Sequence, residues 1–348
     1  MLTQCLNKFG VSFKEIDCPV TWTSLLKNCP NAPYKFSWLK LKYQFEYHSS
    51  LAIGSDQKFY QLQYQQKFVG LFPIAILEFK NRIELSTFGE HIHSPVWNSQ
   101  LSIIDQKVVA KIVLRSLVHL AKTLHCASLV FQTELNSFGE YTAFHKALLE
   151  YPTVTNLKNF MKLKLSKNFN SVKSKFRKSY IPIIDKSNEI YKTNLLIGCG
   201  NSAIWNDIRK FHSVVAGRKT RSLKTWKIQL DMIEANEAFV VTANNKRNEL
   251  VGAGLFSFFQ NEAAYDIGVY DRTPSKNPIS HLIQYKAIEK MCESGIQVYF
   301  IGEKTHGNKE KLTSKIDKIS FFKEGFCSDI FPIFINTLYL DKNDGKTC

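Results

Sequence analysis

The chain has 348 residues, 46 Lys plus Arg against 30 Asp plus Glu, and a formal charge of +16. Domains commonly run ~100–200 residues, so the length suits two. A hydrophobic fraction of 44% and a charged fraction of 22% exclude a wholly disordered chain, a collagen-like fibre and a coiled-coil rod. No apolar run reaches the ~18–20 residues that span a bilayer. The opening MLTQCLNKFGVSFKEID lacks a basic segment followed by an apolar one, so no export signal is expected. Eight scattered cysteines without a CxxC pair read as reduced thiols of a cytoplasmic protein. His91 and His93 are the only tight pair of candidate ligands and no Cys pair accompanies them, so no metal is expected.

Lys outnumbers Arg 38 to 8 in a chain also rich in Asn, Ile and Phe, a bias that an AT-rich genome produces unaided. The positions of the charges are more informative than their sum. Leu157 to Lys178 holds eight basic residues and no acid, and Arg209 to Lys227 holds seven. Such patches attract phosphate-bearing ligands, and a solvated face explains them equally well.

Trp22–Leu26 and Tyr34–Tyr47 read as short helices around a turn at Pro30 and Pro33. Strand-like runs follow at Phe59–Tyr64, Lys67–Leu77 and Ile83–Phe88. Apolar residues at 108, 109, 112, 117, 120, 121 and 124 predict a helix over Asp105–His125. A buried strand, Cys126–Gln132, and a helix over Phe138–Glu150 come next. The basic segment LKNFMKLKLSKNFNSVKSKFRKSY alternates like a strand and then turns helical, and a domain boundary is expected inside it near Lys164. The second half predicts helices at Ala203–Val215 and Leu223–Ala235, a strand at Glu237–Ala243, and a hairpin of Leu250–Gln260 with Glu262–Tyr270. Asn277 and Pro278 are a good start for a helix to Ser294, with Gly295 as its left-handed stop. Ile296–Ile301 is a strand, and Phe321–Phe326 and Ile333–Leu340 close the domain. Strand hairpins thus precede a long helix and a buried strand in both halves, which predicts two copies of one fold.

The second half carries a resemblance. PISHLIQYKAIEKMCESGIQVYFIGE resembles the helix–Gly–strand segment of FemAB-type acyl and aminoacyl transferases. NELVGAGLFSFFQNEAAYDIGVYDR resembles that family's hairpin, FFKEGF its Phe-Lys-x-x-Phe element, and KSKFRKSY its basic segment. PYKFSWLK and STFGEHIHSPVW in the first half are weaker echoes. The resemblance implies an α/β (α+β) chain of two tandem GNAT-like acyltransferase domains, each a mixed, largely antiparallel sheet flanked by helices. It places the acceptor-side domain at 1–164 and the donor or catalytic domain at 165–348. The implied activity is transfer of an acyl or aminoacyl group to an amine of a cell-envelope precursor or surface sugar. No cofactor is held tightly; acyl-CoA or aminoacyl-tRNA serves as donor cosubstrate. The charged coiled-coil insertion of some tRNA-dependent members has no counterpart here.

Acylating an amine requires a neutral amine, a polarised carbonyl and their alignment, with no covalent nucleophile. Asp266 or Asp271 is the candidate base, and Tyr265 or Tyr270 the candidate donor to the leaving group; either Tyr also reads as a plain strand side chain. The resemblance assigns Lys323 to the developing oxyanion or the donor phosphate. His212, Arg218 and Arg221, in FHSVVAGRKTRS, have the types that wrap a phosphate or carboxylate, or simply cap a helix. His281 lies in a first helical turn, where a neutral imidazole is favoured. Glu303 and Lys304 end a strand, and His91 and His93 end the matching strand of the first half, as substrate-binding candidates. The turn DRTPSKNP departs from acetyl-CoA enzymes: it offers Arg272 and Lys276 as donor-phosphate ligands but has no Gly-rich loop of amides. Two alternatives remain: an acyl-CoA-dependent N-acyltransferase on an amino sugar, and a non-catalytic protein that binds RNA or an anionic lipid surface through Leu157–Lys178. Peripheral contact with the inner face of a membrane fits several of these readings; double-stranded DNA is not an expected partner.

Overall fold

The computed structural model describes residues 2–30, 32–136, 138–271, 279–305 and 315–340. The chain forms two compact units, one from the residues up to Lys158 together with those from Pro332 on, the other from Asn159–Phe331. The expected boundary near Lys164 lies at the end of the strand Thr153–Lys164. The segment after Pro332, expected with the second domain, belongs to the first unit instead. Its strand Asp329–Tyr339 runs antiparallel to Ser128–Glu134 from Ile333↔Glu134 to Tyr339↔Ser128.

In the first unit, strands Ser12–Glu15, Gly54–Tyr64, Lys67–Phe79 and Arg82–Ser86 form an antiparallel meander, with Val96–Trp97 also on Lys67–Phe79. Helix Ile103–Thr123 buries Val109, Ala110, Val113, Leu114, Leu117, Leu120 and Ala121, the three-and-four spacing of a single stripe. Its start is fixed by Ser102, whose hydroxyl accepts from the Asp105 N–H. Full burial of each large aliphatic is worth about 1.5–3 kcal/mol, so this stripe anchors the unit. The helix expected over Phe138–Glu150 is confined to Ala143–Leu148. Upstream, Asn136 Oδ1 accepts from the N–H of Phe138 and of Glu140, building a turn that competes with helix, and Thr142 caps the short helix that follows.

The second unit is a mixed, mostly antiparallel sheet. The residues 159–164 pair with Val298–Lys304, then follow Glu262–Tyr270, Leu250–Phe259, Ala238–Asn244 and Lys192–Leu196. Helix Ile279–Glu293 covers one face, burying Leu282, Ile283, Ala287, Ile288 and Met291 against Phe239, Val241 and Phe256. Gly252 and Gly254 let it come close: a Cβ on either would meet Ile279 or Ile283 at 2.6–2.8 Å. Helices Ser202–Ala216 and Leu223–Glu234 pack on the same sheet through other residues, with Trp205 donating to the Trp226 carbonyl at 2.9 Å. Among the described residues no helix is long and apolar enough to cross a membrane. The fold class expected from the sequence, mixed α/β with largely antiparallel sheets flanked by helices, is the one observed.

Candidate functional site

Strands Glu262–Tyr270 and Val298–Lys304 are parallel neighbours in the second unit's otherwise mostly antiparallel sheet, and their ladder has three pairs: Glu262↔Val298, Ala263↔Tyr299 and Ala264↔Phe300. Beyond that point each strand stays with its other neighbour. Both strands also carry a register shift there. On one, Phe256 faces Tyr265 and Leu255 faces Ile267, so Asp266 is the extra residue. On the other, Phe300 faces Lys162 and Gly302 faces Met161, so Ile301 is extra. A bulge re-aims the side chains that follow it. Paired residues share a sheet face, so Tyr265, Gly268, Tyr270 and Gly302 all come to the face that helix Ile279–Glu293 covers.

At this parting of the strands, the hydroxyls of Tyr265 and Tyr270 are 2.6 Å apart. They meet over Gly268, which is exposed; a Cβ there would lie on the Tyr265 hydroxyl and 2.8 Å from that of Tyr270. Glycine is what lets the two phenols converge. Burial pushes the Tyr265 phenol up to about 12, against the Tyr270 and Gln284 hydrogen bonds, and raises Tyr270 well above its ordinary value. Both are therefore proton donors at neutral pH. Beneath them Tyr299, wholly buried, donates to Gln284 Oε1 at 2.6 Å.

Lys323 comes to the same place from helix Lys315–Glu324. Its Nζ lies 5.7 Å from the centre of the Tyr265 ring. Burial lowers its pKa, and Glu303 partly restores it. The neighbouring carboxylate, Glu324, is taken by Lys304 at 2.6 Å and by Arg177 at 3.8 Å.

The other sequence candidates fall elsewhere. His281 is buried edge-on to Tyr180 at 4.3 Å and to Phe322 at 4.8 Å, in an aromatic cage of the core. His212 packs on Trp226, as does the Arg221 guanidinium at 5.1 Å, and burial and that cation lower the His212 pKa. Arg218 is exposed. Asp271 follows the end of strand Glu262–Tyr270 and is exposed. Arg272 and Lys276 lie outside the described residues. Part of the basic stretch is structural: Arg177 donates to the Tyr180 hydroxyl at 3.0 Å and the Phe321 carbonyl at 3.1 Å, and Lys164 pairs with Asp329.

The first unit holds a second polar cluster, most of which sequence reading missed. The turn Thr87–Glu90, with Phe88 and Gly89 at positive φ, brings Glu90 onto His93. Glu90 Oε2 is 3.2 Å from His93 Nε2 and 3.9 Å from Lys35 Nζ, and Gln44 donates to Oε1 at 2.8 Å. Burial works to raise the Glu90 pKa, but the His93 hydrogen bond and the Lys35 and Lys40 charges overcome it and hold the carboxyl well below the usual range. Burial and Lys35 lower the His93 pKa, so that ring is neutral at pH 7. His91, next to it in sequence, is exposed. The only sequence signal for Lys35 and Glu90 was their place in PYKF and GEHIH.

No protein-family model matches the sequence, and no curated protein matches it as a relative. Solved structures do match in fold. FemX superposes with a TM-score of 0.68 at 11% identity, over 93% of this chain and 96% of that one. L-PGS from Bacillus licheniformis gives 0.60 at 12% identity over 94% of each chain. The C-terminal domain of a putative lysylphosphatidylglycerol synthetase from Agrobacterium fabrum gives 0.59 at 6%, over 92% of each. The chain therefore shares the fold of FemX and of L-PGS.

Proposed function

We propose that the protein is an acyl- or aminoacyltransferase that acts on an amine of a cell-envelope precursor or surface sugar. The carrying observation is the parting of strands Glu262–Tyr270 and Val298–Lys304 with two phenols and one ammonium at the opening. The fold it shares with FemX and L-PGS supports the reading. The neutral amine attacks the carbonyl carbon; a C–N bond forms as the C–S bond of a thioester, or the C–O bond of an aminoacyl ester, breaks. The amine gives up a proton, to Asp266 or Asp271 directly or through water, and the leaving sulfur or oxygen gains one. Lys323 as ammonium faces the carbonyl oxygen as charge builds on it. The Tyr265–Tyr270 pair, kept as neutral phenols by burial, hydrogen-bonds the leaving atom.

The remaining assignments are proposals of the same reading: His91, His93, His212, Arg218, Arg221, His281, Glu303 and Lys304 as substrate contacts, and Arg272 and Lys276 at the donor phosphate. Of these, His281 has the least support, since it is caged by aromatic rings. Acyl-CoA and aminoacyl-tRNA are both retained as donors. The protein acts in the cytoplasm, at the inner face of the membrane where the acceptor is lipid-linked.

Thermal unfolding with a panel of acyl-CoAs, free CoA and charged tRNA tests the reading. A donor at ~100 times its dissociation constant stabilises by about 2.7 kcal/mol. A shift with one acyl-CoA selects the thioester; a shift with charged tRNA alone selects the aminoacyl ester. No shift with any donor, beside salt-steep binding to polyanions lost on neutralising Lys173, Lys175, Arg177 and Lys178, would replace the transferase with the non-catalytic alternative.

A further inference from the structure

Lys323 does not reach its place by the length of its side chain alone. We propose that Gly302 is the positioning residue of the site, a glycine kept so that the Lys323 amine can lie across strand Val298–Lys304 and face the Tyr265–Tyr270 pair. The proposal rests on the transferase reading for its consequence in turnover, but its geometry stands without it.

Three observations converge on Gly302. It follows the bulge at Ile301, which turns it to the face that carries Tyr265. Its φ of +134° lies in the region that side chains rarely adopt. And a Cβ at this position would stand 2.5 Å from Lys323 Nζ, 3.5 Å from Cε and 3.7 Å from Cδ. The outer part of the lysine chain therefore runs along the face of the glycine, as on a rail. Lys304, two residues on, is drawn instead to Glu324, which is also held by Arg177, so that carboxylate is engaged away from Lys323. The acidic group that acts on Lys323 is Glu303. Any side chain at 302 lifts the ammonium off the strand. The lysine then swings toward solvent, where its burial and its contact with the Tyr265 ring are both lost.

The test is the titration of Lys323 itself, which needs no substrate. Lysines of the full chain are dimethylated with 13C-formaldehyde, the Lys323 resonance is assigned by its loss in Lys323→Met, and its chemical shift is followed with pH. In the wild type it titrates below the bulk of the lysines. In Gly302→Ala it joins the bulk, and turnover with the donor found above falls at least 10-fold while KM for the donor stays within 2-fold. In a Lys323→Met background Gly302→Ala costs no further turnover, because the glycine acts only through the lysine. A Lys323 that titrates in Gly302→Ala as in the wild type overturns the proposal, whatever happens to activity. Failure of the transferase reading leaves the titration result standing.

The strained backbone at 302 provides for the case in which Gly302→Ala does not fold. The double variant Gly302→Ala, Lys323→Ala removes the chain that the new methyl would strike. Recovery of folding in the double variant supports the close approach. Where the backbone strain keeps both variants unfolded, the wild type decides: the 13C-methyl groups of Lys323 must show cross-relaxation to the Gly302 Hα protons, and its absence overturns the proposal.

Discussion

Glu90→Gln tests the electrostatic account of the first unit. The carboxylate faces Lys35 at 3.9 Å, the His93 imidazole at 3.2 Å and the Lys40 charge, and the side chains of Lys35 and Glu90 are 15% and 30% exposed. Two charges at that separation attract by roughly 4 kcal/mol at an effective dielectric constant of ~20. Breaking a buried pair costs about 3–5 kcal/mol. Glutamine keeps the Gln44 hydrogen bond to its carbonyl oxygen, and partial exposure screens the rest, so the expected loss is about 2–4 kcal/mol at pH 7. Urea titration reads this as a midpoint lowered by about 1–2 M at ordinary slopes. The pH dependence is a second check. The folded Glu90 pKa lies below the ordinary value of 4.5, so its contribution is full above pH 4.5 and is lost as pH falls through the folded value. The gap between wild type and variant must therefore narrow on acidification below pH 4.5. A loss under about 0.5 kcal/mol at pH 7, or a gap that stays constant down to pH 3, would refute the reasoning.

Three further outcomes are expected. Tyr270→Phe removes one end of the 2.6 Å hydroxyl pair, so stability changes by only about 1 kcal/mol while turnover falls about 10²-fold, read by donor consumption and thermal unfolding. Gly268→Ala places a methyl on the Tyr265 hydroxyl and parts the phenols; Tyr270 loses the Tyr265 contact that raises it, and its share of the tyrosinate absorbance at 295 nm develops at lower pH than in the wild type. Gly89→Ala forces a Cβ onto the His48 side chain, 2.6 Å from its Cγ, at a φ of +97°, and loses about 1–3 kcal/mol in urea titration.

The hairpin Leu250–Phe259 with Glu262–Tyr270 was legible because its alternation breaks at a turn that the sequence marks with Gln260 and Asn261. The helix Ile279–Glu293 was legible from its apolar spacing. Tyr265, Tyr270 and Lys323 could be singled out by their residue types and by resemblance. Their meeting could not, because it depends on two bulges, and one extra residue in a strand leaves no mark in periodicity. Gly302 and Gly268 carry no mark of their role in the sequence for the same reason. Glu90 drew no notice because a carboxylate in a turn is commonplace; its partners Lys35 and Gln44 lie fifty-five and forty-six positions earlier, and they make it a half-buried, engaged charge. The segment Ile333–Leu340 was expected to close the second domain, but local sequence cannot say which sheet receives it, and Ile333–Tyr339 pairs with a strand some two hundred residues upstream. The helix expected over Phe138–Glu150 starts late because the Asn136 side chain ties down the Phe138 and Glu140 amides.

The central claim is that the opening between strands Glu262–Tyr270 and Val298–Lys304 is where the acyl group changes hands. Its most direct test is a single-turnover experiment with the donor that stabilises the protein and a panel of amine acceptors. Appearance of free thiol or deacylated tRNA is followed by mass spectrometry together with the acylated amine. The account predicts one equivalent of amide per site in the wild type and a rate at least 10²-fold slower in Lys323→Ala, with the donor still bound. Amide formed by Lys323→Ala at the wild-type rate would contradict it.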